Sequence, residues 1–505
     1  MIISLSVLVI TIIVSGTYAL YKAQLSKNIG VNTTTHGLAY YINYVKGTDI
    51  TAATLNPSTS YESGASSDIE FWKKDDSYDI YGKIDLTVNT IGTNLKNSPA
   101  LKYAVVNNGN VLSTGSLKGT TSGSKVTILK NLYLEQTKQI YTVYVWLDNS
   151  EELGNISNES LSISVDCTAS LQKEPAADTI ISLYTNASKT AVTNNGKDYN
   201  TAPSVSLMND RLGGTTTDLD DGNIRYYGAS PNNYIYFNCS DYSNQTSSTC
   251  ETWRIIGVFD GKLKLIRGSQ IGKYSWDNKN ISTGAEDDRG KNDWTTARLM
   301  KLLNPSDYYI ADSNDNGLGQ SLYYNSASGK CYSGENNATV DCDFTSTGIK
   351  NDETKNMIAE TTYNLGGWNL SGIYANQIYE YERGTTVYSG RPTTWKGKIA
   401  LAYPSDYGYA ADLNQCKDKT LYDYDNRTCT SNNWMKAIIT DNGSNHGWLL
   451  TPDSSYSFGA WYSHGNVGEY FTGAARGAVP VLSLSSKLGI ESGDGSSSNP
   501  YKLSA

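Results

Sequence analysis

The chain opens on an apolar run and is polar after it. Ile2 to Leu20 carries no charge, and Lys22 is the first charged side chain. A helix over these 19 residues just spans a bilayer core of roughly 30 Å at 1.5 Å per residue. Thr17-Tyr18-Ala19 puts small residues at the two positions a signal peptidase reads, which predicts cleavage after Ala19. The run is long for a signal-peptide core, so retention as a membrane anchor is the alternative. A pilin-type assembly helix is a third reading, opposed by the lack of any acidic residue before Asp49. The first two readings imply export, and residues 1–27 form a signal or anchor helix.

After residue 27 the pattern turns to period two. Strands are predicted at Ala39–Val45, Ile69–Trp72, Ile84–Ile91, Leu101–Val106, Lys125–Leu132, Ile140–Leu147 and Leu161–Val165. Asn107-Asn108-Gly109-Asn110 between two of these runs is a hairpin signal. Strands without helical patterns predict an all-β sandwich, jelly-roll-like, over 28–170. Residues 171–206 read as a linker with a short helix near Ala177–Tyr184. From 207 to 505 strands at Tyr234–Phe237, Trp253–Phe259 and Lys262–Arg267 alternate with helices. These are expected at Trp294–Leu303, capped by Asn292 or Asp293, at Asp352–Leu365 and at Tyr374–Glu382. The fold class is therefore multidomain: an N-terminal apolar helix, an all-β sandwich, then an α+β domain.

Composition narrows the function classes. A formal net charge of -9 without basic runs gives no footprint for nucleic acid. The chain has 39 Tyr and 45 Gly but only 5 Met and 3 His. Tyrosine suits exposed binding faces, because it offers contact area and a polar tip at little entropy cost, and it equally favours strands. Six of the 7 cysteines fall into close pairs: Cys239 and Cys250, Cys331 and Cys342, Cys416 and Cys429. After export these read as local disulfides, sequential pairing being the simplest of several connectivities. Cys167 is left as a buried thiol or an intermolecular bridge.

The stretch Ser444–Ala475 is the candidate binding face. Trp448, Tyr456, Phe458, Trp461, Tyr462, Tyr470 and Phe471 are interleaved there with small polar residues. Such composition suits binding loops and sugar-stacking platforms; a small core between loops is the competing reading. His446 and His464 read as polar loop residues rather than general bases. Asp312, Asn314 and Asn316 sit at alternate positions before Gly317, as in the start of a calcium loop. Tyr323 stands at the twelfth position where that loop needs Glu, so calcium at this incomplete loop is set against a solvated acidic turn. No other cofactor and no catalytic motif is indicated.

Two resemblances add to this reading. The apolar segment ending Ser15-Gly16-Thr17-Tyr18-Ala19, followed by a β domain, resembles the TasA/camelysin group of Gram-positive surface and matrix proteins. That likeness implies export, cleavage after Ala19 and strand-exchange assembly. Trp253-Arg254-Ile255-Ile256-Gly257-Val258, Gly447-Trp448-Leu449-Leu450-Thr451-Pro452, Ala478-Val479-Pro480-Val481-Leu482-Ser483-Leu484 and Gly493-Asp494-Gly495 resemble secreted bacterial domains of the C-type-lectin-like or formylglycine-generating-enzyme-like type. Members carry a Val-Arg-Pro-Val strand; here Arg476-Gly477-Ala478-Val479-Pro480 departs from that order. The implied fold is C-type-lectin-like α+β. The expected function is a cell-surface binding or adhesion protein without catalysis. Its partner is an extracellular glycan or protein, with the membrane as a further partner if the N-terminal segment is retained. The alternatives are a self-assembling filament subunit, with Lys22–Thr35 as donor strand, and a surface-modifying enzyme.

Overall fold

The computed structural model describes residues 23–25, 38–52, 55–156, 159–211, 222–278, 288–309, 317–335, 337–369, 372–424 and 427–504. The apolar helix, the Ala19 cleavage site and the Asp312, Asn314 and Asn316 loop lie outside the described residues. The chain divides into two compact units. The first runs to Pro175 and takes in 489–494 and 501–504.

In the first unit two sheets enclose one core. One sheet orders Ala23–Leu25, Leu161–Ser170, Tyr81–Ile91 and Lys125–Tyr133, with Ile50–Ala52 also beside Leu161–Ser170. The other orders Ile42–Val45, Ala65–Lys73, Ile140–Asp148, Leu101–Asn107 and Asn110–Ser116. Leu161–Ser170 alternates buried and half-buried positions along its whole length, as a strand with one face on a core must. Ile84, Leu86 and Ile163 from one sheet and Ile69, Val105 and Val143 from the other join the same core cluster. The predicted hairpin forms, with Asn107 paired to Asn110 and positive φ at Asn108 (49°) and Gly109 (77°). Cys167 is fully buried in this core, and burial pushes its thiol well up.

The last hairpin, Gly489–Ser492 with Lys502–Ser504, belongs to this first unit and not to the second domain expected for it. Asn131 ties it in: its side-chain amide donates to the carbonyls of Glu174 and Ile490.

The second unit covers 176–488 and 495–500. Residues 176–206 are built into it rather than forming a linker. Helix Ala176–Asn186 is followed by Thr190–Asn194 and Lys197–Ala202, which pair through an Asn195-Gly196 turn and enter a nine-stranded sheet. The centre of that sheet is Glu251–Phe259 beside Lys262–Arg267 and Val481–Ser483. A second sheet orders Lys273–Ser275, Ala475–Gly477, Gly447–Pro452, Gly459–Ser463 and Val467–Phe471.

The helices are shorter than the pattern predicts. The first is Arg298–Leu303 with Ala297 at its cap, while Asp293 instead caps the preceding turn by accepting from Thr295 N. The second stops at Met357, and Thr361–Asn364 forms a strand against Thr394–Gly397. The third is Ala375–Glu382. Three disulfides, Cys239–Cys250, Cys331–Cys342 and Cys416–Cys429, close local loops in this unit and point to an oxidising environment. Among the described residues no helix is long and apolar enough to cross a membrane.

A buried ionic network links distant stretches of this unit's sequence. Arg225 is 1% exposed and lies between the rings of Phe259 and Tyr409. Its Nε donates to Asp210, and its Nη1 donates to Asp406 Oδ1 at 2.8 Å. Lys264 Nζ donates to the other Asp406 oxygen. Burial pushes the Asp406 carboxyl up, but Lys264 and Arg225 outweigh it and hold the group below its ordinary value. Nearby Glu382 accepts from Ser405 N at 3.0 Å. Burial carries its carboxyl up to about 7, and the adjacent Asp406 charge adds to the rise.

A raised carboxyl binds its proton more tightly in the folded state. Its stabilising effect is complete below the ordinary glutamate range and is lost as pH rises towards about 7. Wild-type stability should therefore fall between pH 5 and about 7, and Glu382→Gln should flatten that fall. Urea titrations of both proteins across this interval check it; parallel curves would remove Glu382 as the titrating group.

Candidate functional site

The strands Gly459–Ser463 and Val467–Phe471 meet at the turn His464-Gly465-Asn466, where Gly465 has φ 123°. The turn is pinned: Tyr407 donates its hydroxyl to the Gly465 carbonyl, and Asn466 donates to the Tyr422 carbonyl. Within Gly459–Ser463 only Tyr462 turns away from the interior. Its cross-strand partners are Gly468, which leaves its ring uncrowded, and Trp448. Tyr470 is 40% exposed on the neighbouring strand.

Arg476 completes the face. Tyr274 and Arg476 are paired in the sheet, and Gly477 N donates to the His446 carbonyl, which brings Arg476 beside His446. The guanidinium stands 4.0 Å from the Tyr462 ring centre and 4.1 Å from that of Tyr470. Its Nη1 donates to His446 Nδ1, so the proton of that neutral imidazole is on Nε2. His446 and His464 rings lie 5.0 Å apart, and each lies about as close to Tyr462, at 5.5 and 5.4 Å. Burial, then the Arg476 charge, lowers both imidazoles from the ordinary histidine value. Glu469, one residue before Tyr470, is pushed up to about 8 by burial and by the Asp453 carboxyl bonded to it. The face therefore gathers the Arg476 cation, two imidazoles held below their ordinary value and tyrosines, with the Lys273 charge also acting on His446.

Of the residues the sequence proposes, Tyr462, His464 and Tyr470 are brought together here. Trp448 and Trp461 are not on the surface: both are 0% exposed. Their indole N–H groups donate to the carbonyls of Tyr274 (2.9 Å) and Trp368 (3.2 Å). They are fully buried within the unit, their large apolar rings packed away from water. Tyr456 is exposed but stacks on Phe458, 5.4 Å away, outside the cluster. Arg476 is the residue that sequence reasoning passes over; its only signal was the departure from the Val-Arg-Pro-Val order. Among the described residues no group of three metal-ligating side chains occurs.

No family model and no curated protein matches this chain. Among solved structures it is similar to the HCR/D F1240A mutant, at 11% identity over 52% of this chain and 76% of that one, TM-score 0.17. A receptor-binding domain of botulinum neurotoxin mosaic serotype C/D gives 12% identity, 52% and 75% coverage, and TM-score 0.15. Overlaps this low establish neither a shared fold nor a shared activity.

Proposed function

We propose that this protein acts outside the cell by binding a glycan or a protein through the tyrosine–arginine face of its second unit. The observation that carries the reading is Arg476 held between Tyr462 and Tyr470 with His446 and His464 alongside. Ring and guanidinium are fixed before any partner arrives, so little side-chain freedom is lost on binding. Tyr and Arg are also the side chains most enriched where binding energy concentrates. The three disulfides, the apolar leader and the resemblance to C-type-lectin-like domains support an exported, surface-associated adhesin.

The test is a glycan array and an extracellular-protein panel probed with the full chain and with Arg476→Ala. The variant should lose at least about tenfold in affinity for whatever the wild type retains. Equal retention by the two proteins would remove the face from the function.

A filament subunit is the second reading. Ala23–Leu25 pairs antiparallel with the Leu161–Ser170 strand, Leu25 opposite Cys167. It is an edge strand from near the chain's beginning, the element that donor-strand exchange would pass to a neighbour. Sedimentation of the full chain against concentration separates the readings, because only a filament grows without limit.

A further inference from the structure

A cavity of about 210 Å³ opens in the second unit beside the buried ionic network, away from the residues of the aromatic face. Its walls come from six separate stretches of chain, and their chemistry is mixed in a particular way. Phe259, Tyr379 and Tyr403 present rings. Thr361, Asn364 and Ser483 present hydroxyl and amide groups. Lys262, Lys264 and Arg383 line it against one carboxylate, that of exposed Asp260.

The walls are rigid. The Tyr403 hydroxyl accepts from Asn364 N at 2.8 Å and donates to the Asn364 carbonyl at 3.0 Å. Lys264 is committed to Asp406 and sits 4.8 and 4.6 Å from the Phe259 and Tyr403 ring centres. The Arg383 guanidinium lies flat on Tyr379, 3.5 Å from its ring centre. Among the described residues it spends only Nη1 on hydrogen bonds, to the Tyr379 carbonyl and Glu382 Oε2, both at 3.2 Å. Its remaining N–H groups keep the planar fork that matches a carboxylate. Glu382 neutralises Arg383 only in part near pH 7, because burial raises its carboxyl to about 7.

One further atom points to a ligand. The Thr361 hydroxyl is buried and has no hydrogen-bond partner among the described residues. A buried orphan of this kind costs about 1–3 kcal/mol unless something satisfies it. Thr361 lies on the cavity wall, so a turn of its side chain about the Cα–Cβ bond presents the hydroxyl to a guest, whose own hydroxyls supply the missing partner.

We infer that this cavity binds a small hydroxylated carboxylate, a sugar acid of monosaccharide size, with Arg383 on the carboxylate and Thr361 on a hydroxyl. The volume lies below the ~300–1,000 Å³ of drug-sized sites, which fits a single ring. The site is separate from the proposed adhesive face and stands whether or not that face binds.

Isothermal titration of the full chain with sodium D-glucuronate tests it, with D-glucose at matched ionic strength as the neutral probe. Glucuronate should bind, glucose at least about tenfold more weakly, because a charge-assisted fork is lost. Arg383→Gln should lower glucuronate affinity at least about tenfold and Thr361→Val a few-fold. No glucuronate binding, equal binding of both sugars, or full affinity in Arg383→Gln overturns the inference. If Arg383→Gln does not fold, Thr361→Val decides, and unchanged affinity there overturns it.

Discussion

Replacing Asp406 with alanine should destabilise the second unit by about 3–5 kcal/mol, the largest effect of any single charge removal in this protein. The carboxylate is 1% exposed and serves three donors: Arg225 Nη1, Lys264 Nζ and the Tyr403 backbone N–H. Removing it leaves buried Lys264 without its carboxylate partner and Arg225 with Asp210 alone, in a site walled by Phe259, Tyr403 and Tyr409. It also removes the side chain that caps the Pro404–Tyr409 helix. By contrast, breaking the exposed Lys396–Glu360 pair should change stability by no more than about 1 kcal/mol, because water already screens it. Tryptophan fluorescence in urea reads the difference. Only Trp72 and Trp146 of the 10 tryptophans lie in the first unit, so the other eight report the second. A loss under about 1 kcal/mol for Asp406→Ala would mean that the cations find solvent and that the network does not hold the unit together.

Several features of the fold were legible in the sequence because their physics is local. Leu161–Ser170 alternates with period two, and Asn107-Asn108-Gly109-Asn110 carries the residues that tolerate positive φ. The close cysteine pairs form loops short enough to bridge without help from the rest of the fold. What failed was non-local. Met357, Ile358 and Leu365 have helical spacing, yet the β-branched Thr361-Thr362 pairs with Lys396–Gly397 and ends the helix early. The terminal hairpin joins the first unit through one asparagine more than 350 residues away, a contact that no window of sequence can display. The aromatic face was located in the right stretch but with the wrong members. Ala460, Trp461 and Ser463 are all buried around Tyr462, so the covered sheet has no alternation to separate core from surface. The cavity is assembled from stretches near 223, 260, 362, 380, 403 and 483, and leaves no sequence signal at all.

Trp461→Ala and Tyr470→Ala should therefore behave as opposites, although the two residues lie nine positions apart in one aromatic-rich stretch. Trp461 is 0% exposed, belongs to the second unit's core cluster and donates to the Trp368 carbonyl. Its truncation leaves a large cavity and an unpaired carbonyl, and should destabilise the unit by about 3–5 kcal/mol. Tyr470 is 40% exposed and stacks on Phe471 and on the Arg476 guanidinium. Its truncation should leave stability within about 1 kcal/mol of wild type while lowering affinity for the extracellular ligand. Urea midpoints and binding to the same captured ligand, measured side by side, give the result. If both variants lose stability alike, Tyr470 is a packing residue and the face is not preformed. If Trp461→Ala stays stable but stops binding, the indole reaches the ligand and the core assignment is overturned. The opposed outcome alone fits a rigid core that holds Tyr462, Tyr470 and Arg476 in place for a partner.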